Sequence, residues 1–473
     1  MSSGTAMRSA ACKAIAAVAL PAALFAFIFF LSSKEYYLLI PAVPLAVCYL
    51  MLQFRYPIIN VLMFLFIGTV SGEMIQSYHL LVGGIRVYLS DIMVALLLAD
   101  AAILLLARKK LSLPRLTLYG LFLVTGLIAL ALGFARGWEA RDILGDFRRI
   151  YIYSVCFPLV YMFTKKSHMA LLQTTVYLSS VCLFLVTAYR VLAGRFLPQF
   201  GGIIHPTDWL QAVFSGLALF FVAASLAVYG RLRWWHYIIG TLSLFNILLA
   251  NYRTPWIAYF LSMLVLLLLT GPKGRRLLSK GMVLLLLGLL LSLALIHALK
   301  LHDISIIQGI LKKADKLVHF QKDQSARWRI YAWSNAVKLF AEHPVFGQGL
   351  GKRNEFNMPS TQNIPYRVLG HRTHNSYLWL LYVSGITGLT TFLLLIVPPA
   401  FRMLRRIGAY PSPSQNYYVL ALSGMFLVLI LSPLFGVGFE TVYYALIFYF
   451  FLGMTAKFLS CGFAEAPDAN PHT

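Results

Sequence analysis

Residues 376–400 read SYLWLLYVSGITGLTTFLLLIVPPA, twenty-five consecutive residues without a charge. As a helix rising 1.5 Å per residue, such a run is long enough to cross a hydrocarbon core of about 30 Å. The pattern recurs in both directions along the chain. Apolar runs lie at 11–31, 36–54, 57–70, 88–107, 114–134, 150–163, 169–189, 209–229, 234–250, 254–270, 280–299, 376–400, 417–435 and 440–458. Those at 57–70 and 150–163 are short for a bilayer, as re-entrant or broken segments are, so twelve to fourteen spans are expected. The first run follows Arg8 and Lys13, and it is longer than the apolar part of a usual signal peptide, which favours an uncleaved first helix.

Composition agrees. Of 473 residues, 60% are apolar and only 12% charged, yet the net charge is +24. Disorder requires low hydrophobicity, and a soluble nucleic-acid binder requires more polar surface than this chain has. The reading is an all-α polytopic membrane protein, because backbone groups in lipid must be satisfied within helices and no alternating strand pattern repeats. No internal repeat of fixed period is visible.

The charge sum becomes a question of sides. With the N-terminus in the cytoplasm, alternation puts Arg55, Arg108 to Lys110, Arg115, Lys165, Lys166, Arg231, Arg233, Lys273, Arg275, Arg276, Lys280, Arg402, Arg405 and Arg406 inside, almost without acidic residues. This is the positive-inside pattern, with both termini inside. It divides the chain into an N-terminal bundle (1–300), a large outer loop (301–375), and C-terminal helices with a tail (376–473). The loop carries eleven basic against five acidic residues, a net +6, and five of the eleven histidines. The five cysteines, Cys12, Cys48, Cys156, Cys182 and Cys461, avoid it, so no external disulfide framework is implied.

Within the loop, Trp328, Tyr331, Ala332, Val337, Leu339 and Phe340 predict an amphipathic helix over about 327–340, stopped by His343-Pro344. Arg327 falls near its N-terminus, where the helix dipole mildly disfavours a purely structural cation. It reads either as an anion binder or as a solvated loop cation. His374 lies where the loop enters the next helix, and Asn375 or Ser376 beside it are cap residues by type. Imidazole suits proton transfer near neutral pH, although a histidine at a membrane boundary is also an ordinary interfacial residue. Arg253, in Asn251-Tyr-Arg-Thr-Pro255 between two apolar runs, is either functional or snorkelling. Arg148 and Arg149 end a short outer amphipathic stretch. They are candidate phosphate contacts, or else pair with Arg141 to Glu139, Asp142 and Asp146 at helical spacing. Arg190 and Arg195 are weaker candidates of the same kind.

Gly347-Gln-Gly-Leu-Gly-Lys-Arg353 lacks the spacing and the hydroxyl residue of a P-loop and reads as a tight turn. Sparse outer carboxylates disfavour a hard divalent cation, and His371 and His374 lack a third zinc ligand, so no metal and no cofactor is expected.

These residues resemble the O-antigen ligase superfamily of O-antigen ligases, Wzy-type polymerases and protein O-oligosaccharyltransferases. The likeness rests on Arg327, Trp333 and Ala336, on His343-Pro344 with Gly347, Gly349 and Gly351, and on His374-Asn375-x-Tyr377-Leu378 with Gly385 and Gly388. It rests also on Arg253 before a membrane helix and on many helices with one large outer loop. The family usually has Ser-Arg where this chain has Tyr252-Arg253. The resemblance implies about twelve helices in a Gram-negative inner membrane and a periplasmic active site. It implies metal-independent transfer of a glycan from undecaprenyl pyrophosphate to a sugar hydroxyl of the lipid A core. In that reaction Arg253 and Arg327 hold the pyrophosphate, His374 is the general base, and displacement inverts the anomeric carbon. Arg148, Arg149, Arg190, Arg329 and Arg372 are the implied secondary contacts. The alternatives are a polymerase or protein oligosaccharyltransferase of the same superfamily and, from another class, a lipid-linked sugar transporter. Transport is disfavoured because the notable charges cluster at the outer surface and no inverted repeat is seen.

Overall fold

A computed structural model describes residues 57–72, 79–82, 85–106, 116–192, 208–250, 252–280, 324–359, 365–370 and 373–461. The runs at 11–31 and 36–54, nearly all of 280–299, the start of the long hydrophilic loop and Arg372 lie outside the described residues.

Among the described residues, six helices are long and apolar enough to cross a membrane: Thr117–Ala135, Ser167–Arg190, Trp209–Tyr229, Ser376–Arg405, Pro413–Phe435 and Val442–Cys461. Shorter apolar helices cover Pro57–Ser71, Leu89–Leu106, Trp234–Leu249 and Arg253–Leu269. The chain is an all-α polytopic membrane protein, as its composition requires. The short run at 150–163 is broken, as its length indicated. It passes through a π turn at Arg148–Ile152 and a 3₁₀ turn at Tyr153–Val155 before an α-helix at Cys156–Phe163.

Helices at the rim and at the centre bury different faces. On the 116–135 helix, Leu121, Val124, Leu127 and Phe134 recur every three to seven residues and stay about half exposed, an apolar stripe suited to lipid. The Val442–Cys461 helix is buried almost all round and serves as the hub. Lipid tails give helices no hydrophobic reason to associate, so dispersion and interhelical hydrogen bonds must hold them. The hub supplies both. The Tyr443 hydroxyl donates to the Phe64 carbonyl at 2.6 Å, and Tyr444 donates to Leu429 at 2.7 Å. Phe448 packs between Phe392, Phe426 and Phe439, with ring centroids 4.8–6.0 Å apart.

Two short antiparallel hairpins accompany the helices among the described residues. One pairs 79–82 with 85–88, and the other pairs 354–359 with 365–370 inside the long hydrophilic loop. Each is short enough to escape a search for repeating strands. The predicted loop helix spans Gln324–Glu342 and ends at His343-Pro344 as expected. Its buried face keeps Ala332, with Trp328, Leu339 and Phe340 partly buried, and adds Ala336, whereas Tyr331 and Val337 are exposed.

The glycine-rich turn does more than turn. Gly347, Gly349 and Gly351 all have positive φ, and a Cβ on Gly349 would sit 2.5 Å from the Gly133 nitrogen. Without side chains, this backbone wedges between the 116–135 and 376–405 helices. The latter breaks at Gly385 (φ 68°), freeing groups that lipid cannot satisfy. The loop satisfies them: Gln348 N–H donates to Tyr382 O at 2.7 Å, Gly349 N–H to Val383 O at 3.0 Å, and Ile386 N–H to Pro344 O at 2.9 Å.

Candidate functional site

The start of the 376–405 helix is the organising point. Asn375 caps it, its side-chain oxygen accepting from Tyr377 N–H at 3.1 Å and Leu378 N–H at 3.0 Å. The next residue outward, His374, has φ 52°, a left-handed conformation that only this non-glycine residue adopts among the described residues. Such a backbone costs about 1–3 kcal/mol, and it persists where neighbours over-determine it. Here Thr373 bridges the turn, its hydroxyl donating to Asn375 O at 2.6 Å.

The loop helix is fixed against the same turn. Trp333 Nε1 donates to Thr373 O at 3.0 Å, and the Trp328 ring meets the His374 imidazole edge-to-face at 5.0 Å. Trp328 also packs on Phe356, and Asn335 and Asn354 tie the helix to the strand beneath it. Arg327 is therefore carried beside the tryptophan that touches His374. Its side chain is exposed and has no carboxylate partner among the described residues.

Arg253 reaches the same end of the bundle from a third element. It is the first residue of the Arg253–Leu269 helix and is half-buried. The adjacent Thr254 hydroxyl donates to Phe435 O at 3.0 Å, where the 413–435 helix ends. The chain then turns through Gly438 and Phe439, whose N–H groups donate to Ser376 Oγ at 2.9 and 3.2 Å. Ser376 in turn donates to Glu440, a carboxylate only 1% exposed. Thr254 beside Arg253, the 435–441 turn and Ser376, two residues after His374, are thus linked by hydrogen bonds. Glu440 was missed from sequence because it opens an apolar run. An ionisable residue at the edge of a membrane segment was the available signal.

The secondary arginines are differently placed. Arg148 pairs with Asp91 at 3.4 Å and stacks on Tyr88, and Arg149 pairs with Asp146 at 3.1 Å. Only the Arg149 pair follows the helical spacing read from sequence. Glu139 and Asp142 are claimed instead by Arg353 from the loop, with Nε 2.8 Å from Asp142. The Asp142 hydrogen bond, aided by the neighbouring carboxylates, raises the Arg353 pKa above the usual arginine value. Arg190 lies in the last turn of the Ser167–Leu192 helix, half-buried in the field of Asp208. Arg329 is half-buried on the loop helix.

No group of three or more metal-ligating side chains occurs among the described residues. The convergent part of the site offers guanidinium groups, which suit phosphate oxygens through forked hydrogen bonds, and an imidazole, which suits proton transfer.

Residues 238–393 match the family model described as O-antigen ligase. The matched segment contains Arg253, Arg327, Arg329, Arg372 and His374, and it leaves Arg148, Arg149, Arg190 and Glu440 outside. No curated protein matches the chain significantly.

Proposed function

We propose that this chain, placed in the O-antigen ligase superfamily by residues 238–393, transfers a glycan from undecaprenyl pyrophosphate to a sugar hydroxyl of the lipid A core. The family makes it a glycosyltransferase-like membrane enzyme of lipopolysaccharide biosynthesis. The finer reading adds the donor, the acceptor, a periplasmic site in the Gram-negative inner membrane and the chemistry. The observation that supports it is that the neighbours of Arg253, Arg327 and His374, on three separate elements, meet around the start of the 376–405 helix: Thr254 at Phe435, Trp328 on His374, and Ser376 on the turn at 438–439.

In this mechanism Arg253 and Arg327 bind the pyrophosphate and stabilise the charge that grows as it departs. His374 takes the proton from the acceptor hydroxyl as the oxygen attacks the anomeric carbon. The C–O bond to the pyrophosphate breaks as the new glycosidic bond forms on the opposite face, inverting that carbon. The leaving pyrophosphate needs no metal. Arg329, Arg372 and Arg190 are secondary anion contacts. Arg148 and Arg149, already held by carboxylates, contribute less.

The test is reconstitution of the purified protein with defined undecaprenyl-pyrophosphate glycan and lipid A core, with and without EDTA. Transfer to the core that persists in EDTA is expected, with His374→Ala nearly inactive at normal expression. Glycan added to glycan rather than to core would make the protein a polymerase. A His374→Ala enzyme retaining most activity would remove the base.

A further inference from the structure

A second concentration of charge lies away from the candidate site. From Trp209 to His302 the sequence holds no Asp or Glu. Apart from Arg253 and Lys300, the arginines and lysines of that stretch fall in two short segments, 231–233 and 273–280. The second follows the C-terminal end of the Arg253–Leu269 helix, about 25 Å from Arg253 at 1.5 Å per residue.

The structure packs the two segments together. Gly230 ends the Ala218–Tyr229 helix in a left-handed conformation, with φ 70°. The helix at 272–280 lies against this turn: a Cβ on Gly274 would be 3.5 Å from the Ala227 carbonyl oxygen, and one on Gly230 would be 3.7 Å from Leu277 Cδ1. Helical spacing puts Lys273, Arg276 and Lys280, all exposed, on one stripe about 60° wide. Leu277 borders that stripe, and its contact with Gly230 brings Arg231, also exposed, to the stripe's edge. None of these four cations has a carboxylate partner among the described residues.

Basic residues at a membrane boundary set topology by their number, which requires no convergence. The 402–406 stretch shows the contrast. There Arg402 donates to Pro398 O at 3.3 Å, Arg406 donates to Leu459 O at 3.0 Å, and Arg405 lies 4.2 Å over the Phe401 ring. Those guanidinium groups are turned back onto their own chain, whereas the 272–280 stripe faces outward. Apolar surface adjoins it. Leu268 and Leu269, just before the stripe, are exposed, and so are Trp234, Tyr237 and Ile238 on one face of the helix that follows Arg231. Trp234 is 74% exposed, as suits a residue at the water–lipid boundary. A soluble polyanion matches only the cations of this surface. A lipid with a charged head matches both parts.

We infer that the 230–234 turn and the 272–280 helix form a binding surface for a phospholipid with an anionic headgroup. Its phosphate lies against Arg231, Lys273 and Arg276, and its acyl chains follow the apolar face that begins at Trp234. The test needs no transfer reaction. Full-length protein is reconstituted in phosphatidylcholine vesicles containing a dibrominated lipid, whose bromines quench nearby tryptophan. The Trp234 signal is the difference between wild type and Trp234→Phe. Brominated phosphatidylglycerol should bind at this position more tightly than brominated phosphatidylcholine by about tenfold or more, since each cation beside an anionic head contributes about fivefold. The combined variant Arg231→Gln, Lys273→Gln, Arg276→Gln should erase the preference. Arg276→Gln alone, a single exposed change that keeps most of the basic charge, should lower it by about fivefold. Removing the same charge by Arg402→Gln, Arg405→Gln and Arg406→Gln should leave it intact. Equal quenching by the two lipids in the wild type, a preference that survives both the triple and the single variant, or equal losses from the two triple variants would overturn the inference. So would a soluble oligonucleotide that abolishes the lipid preference at equal charge, because the surface would then belong to an aqueous polyanion.

Discussion

The stretch at 139–149 and the loop helix at 324–342 look alike as sequences. Both are amphipathic, both are rich in arginine, and both border apolar runs. The structure uses them in opposite ways. In the first, Arg148 and Arg149 are bound to Asp91 and Asp146, and the remaining carboxylates, Glu139 and Asp142, receive Arg353 from the loop. In the second, Arg327 is exposed with no carboxylate beside it among the described residues, while the helix that carries it is fastened through Trp328 and Trp333 to the His374 turn. A cation is available to a substrate when its helix is fixed and its charge is not already neutralised.

The sharpest break of this comparison is Arg327→Ala against Arg148→Ala. Arg327→Ala should lower the rate of transfer by about 10²–10³, the usual result of removing one charge-stabilising donor, with an unchanged melting temperature. Equal rate losses from the two variants would erase the distinction. Ser376→Ala comes next. It strips Glu440 and the Gly438 and Phe439 N–H groups of a shared buried partner, and it should cost about 1–3 kcal/mol of stability, read as a lower melting temperature in detergent. Arg148→Ala should cost about 1 kcal/mol, because its pair with Asp91 is roughly a quarter exposed, and transfer should fall no more than stability explains. Arg353→Ala should have the smallest effect. It should speed amide exchange in 139–147 at low salt, with the difference fading as salt screens the wild-type pairs.

Much of the bundle was legible because lipid leaves few choices. The runs at 114–134, 169–189, 376–400 and 417–435 became helices with boundaries moved by a few residues, and the stop at His343-Pro344 held. What stayed hidden depended on partners distant in sequence. Gly347 to Gly351 read as a turn because nothing local shows that Gly133 and Gly385 will lie against them. The 354–370 hairpin is too short to show a pattern. The pairing of Arg148 with Asp91 spans 57 positions, whereas helical spacing offers nearer carboxylates. The arginines and the histidine proposed for the site were chosen from their types, their neighbours and the family resemblance. Which of them were already neutralised could be seen only in three dimensions.

The break at Gly385 also bears on how the chain is made. A membrane helix whose middle is completed by hydrogen bonds from residues 344–349 is not self-sufficient when it first leaves the ribosome. Its splint, however, is synthesised before it, and the loop helix that carries the splint precedes both. Insertion of the last three spans then becomes an ordered assembly in which the loop must be in place to receive the broken helix. Deleting or lengthening the loop would therefore be felt first as a defect of biogenesis, before any substrate is met.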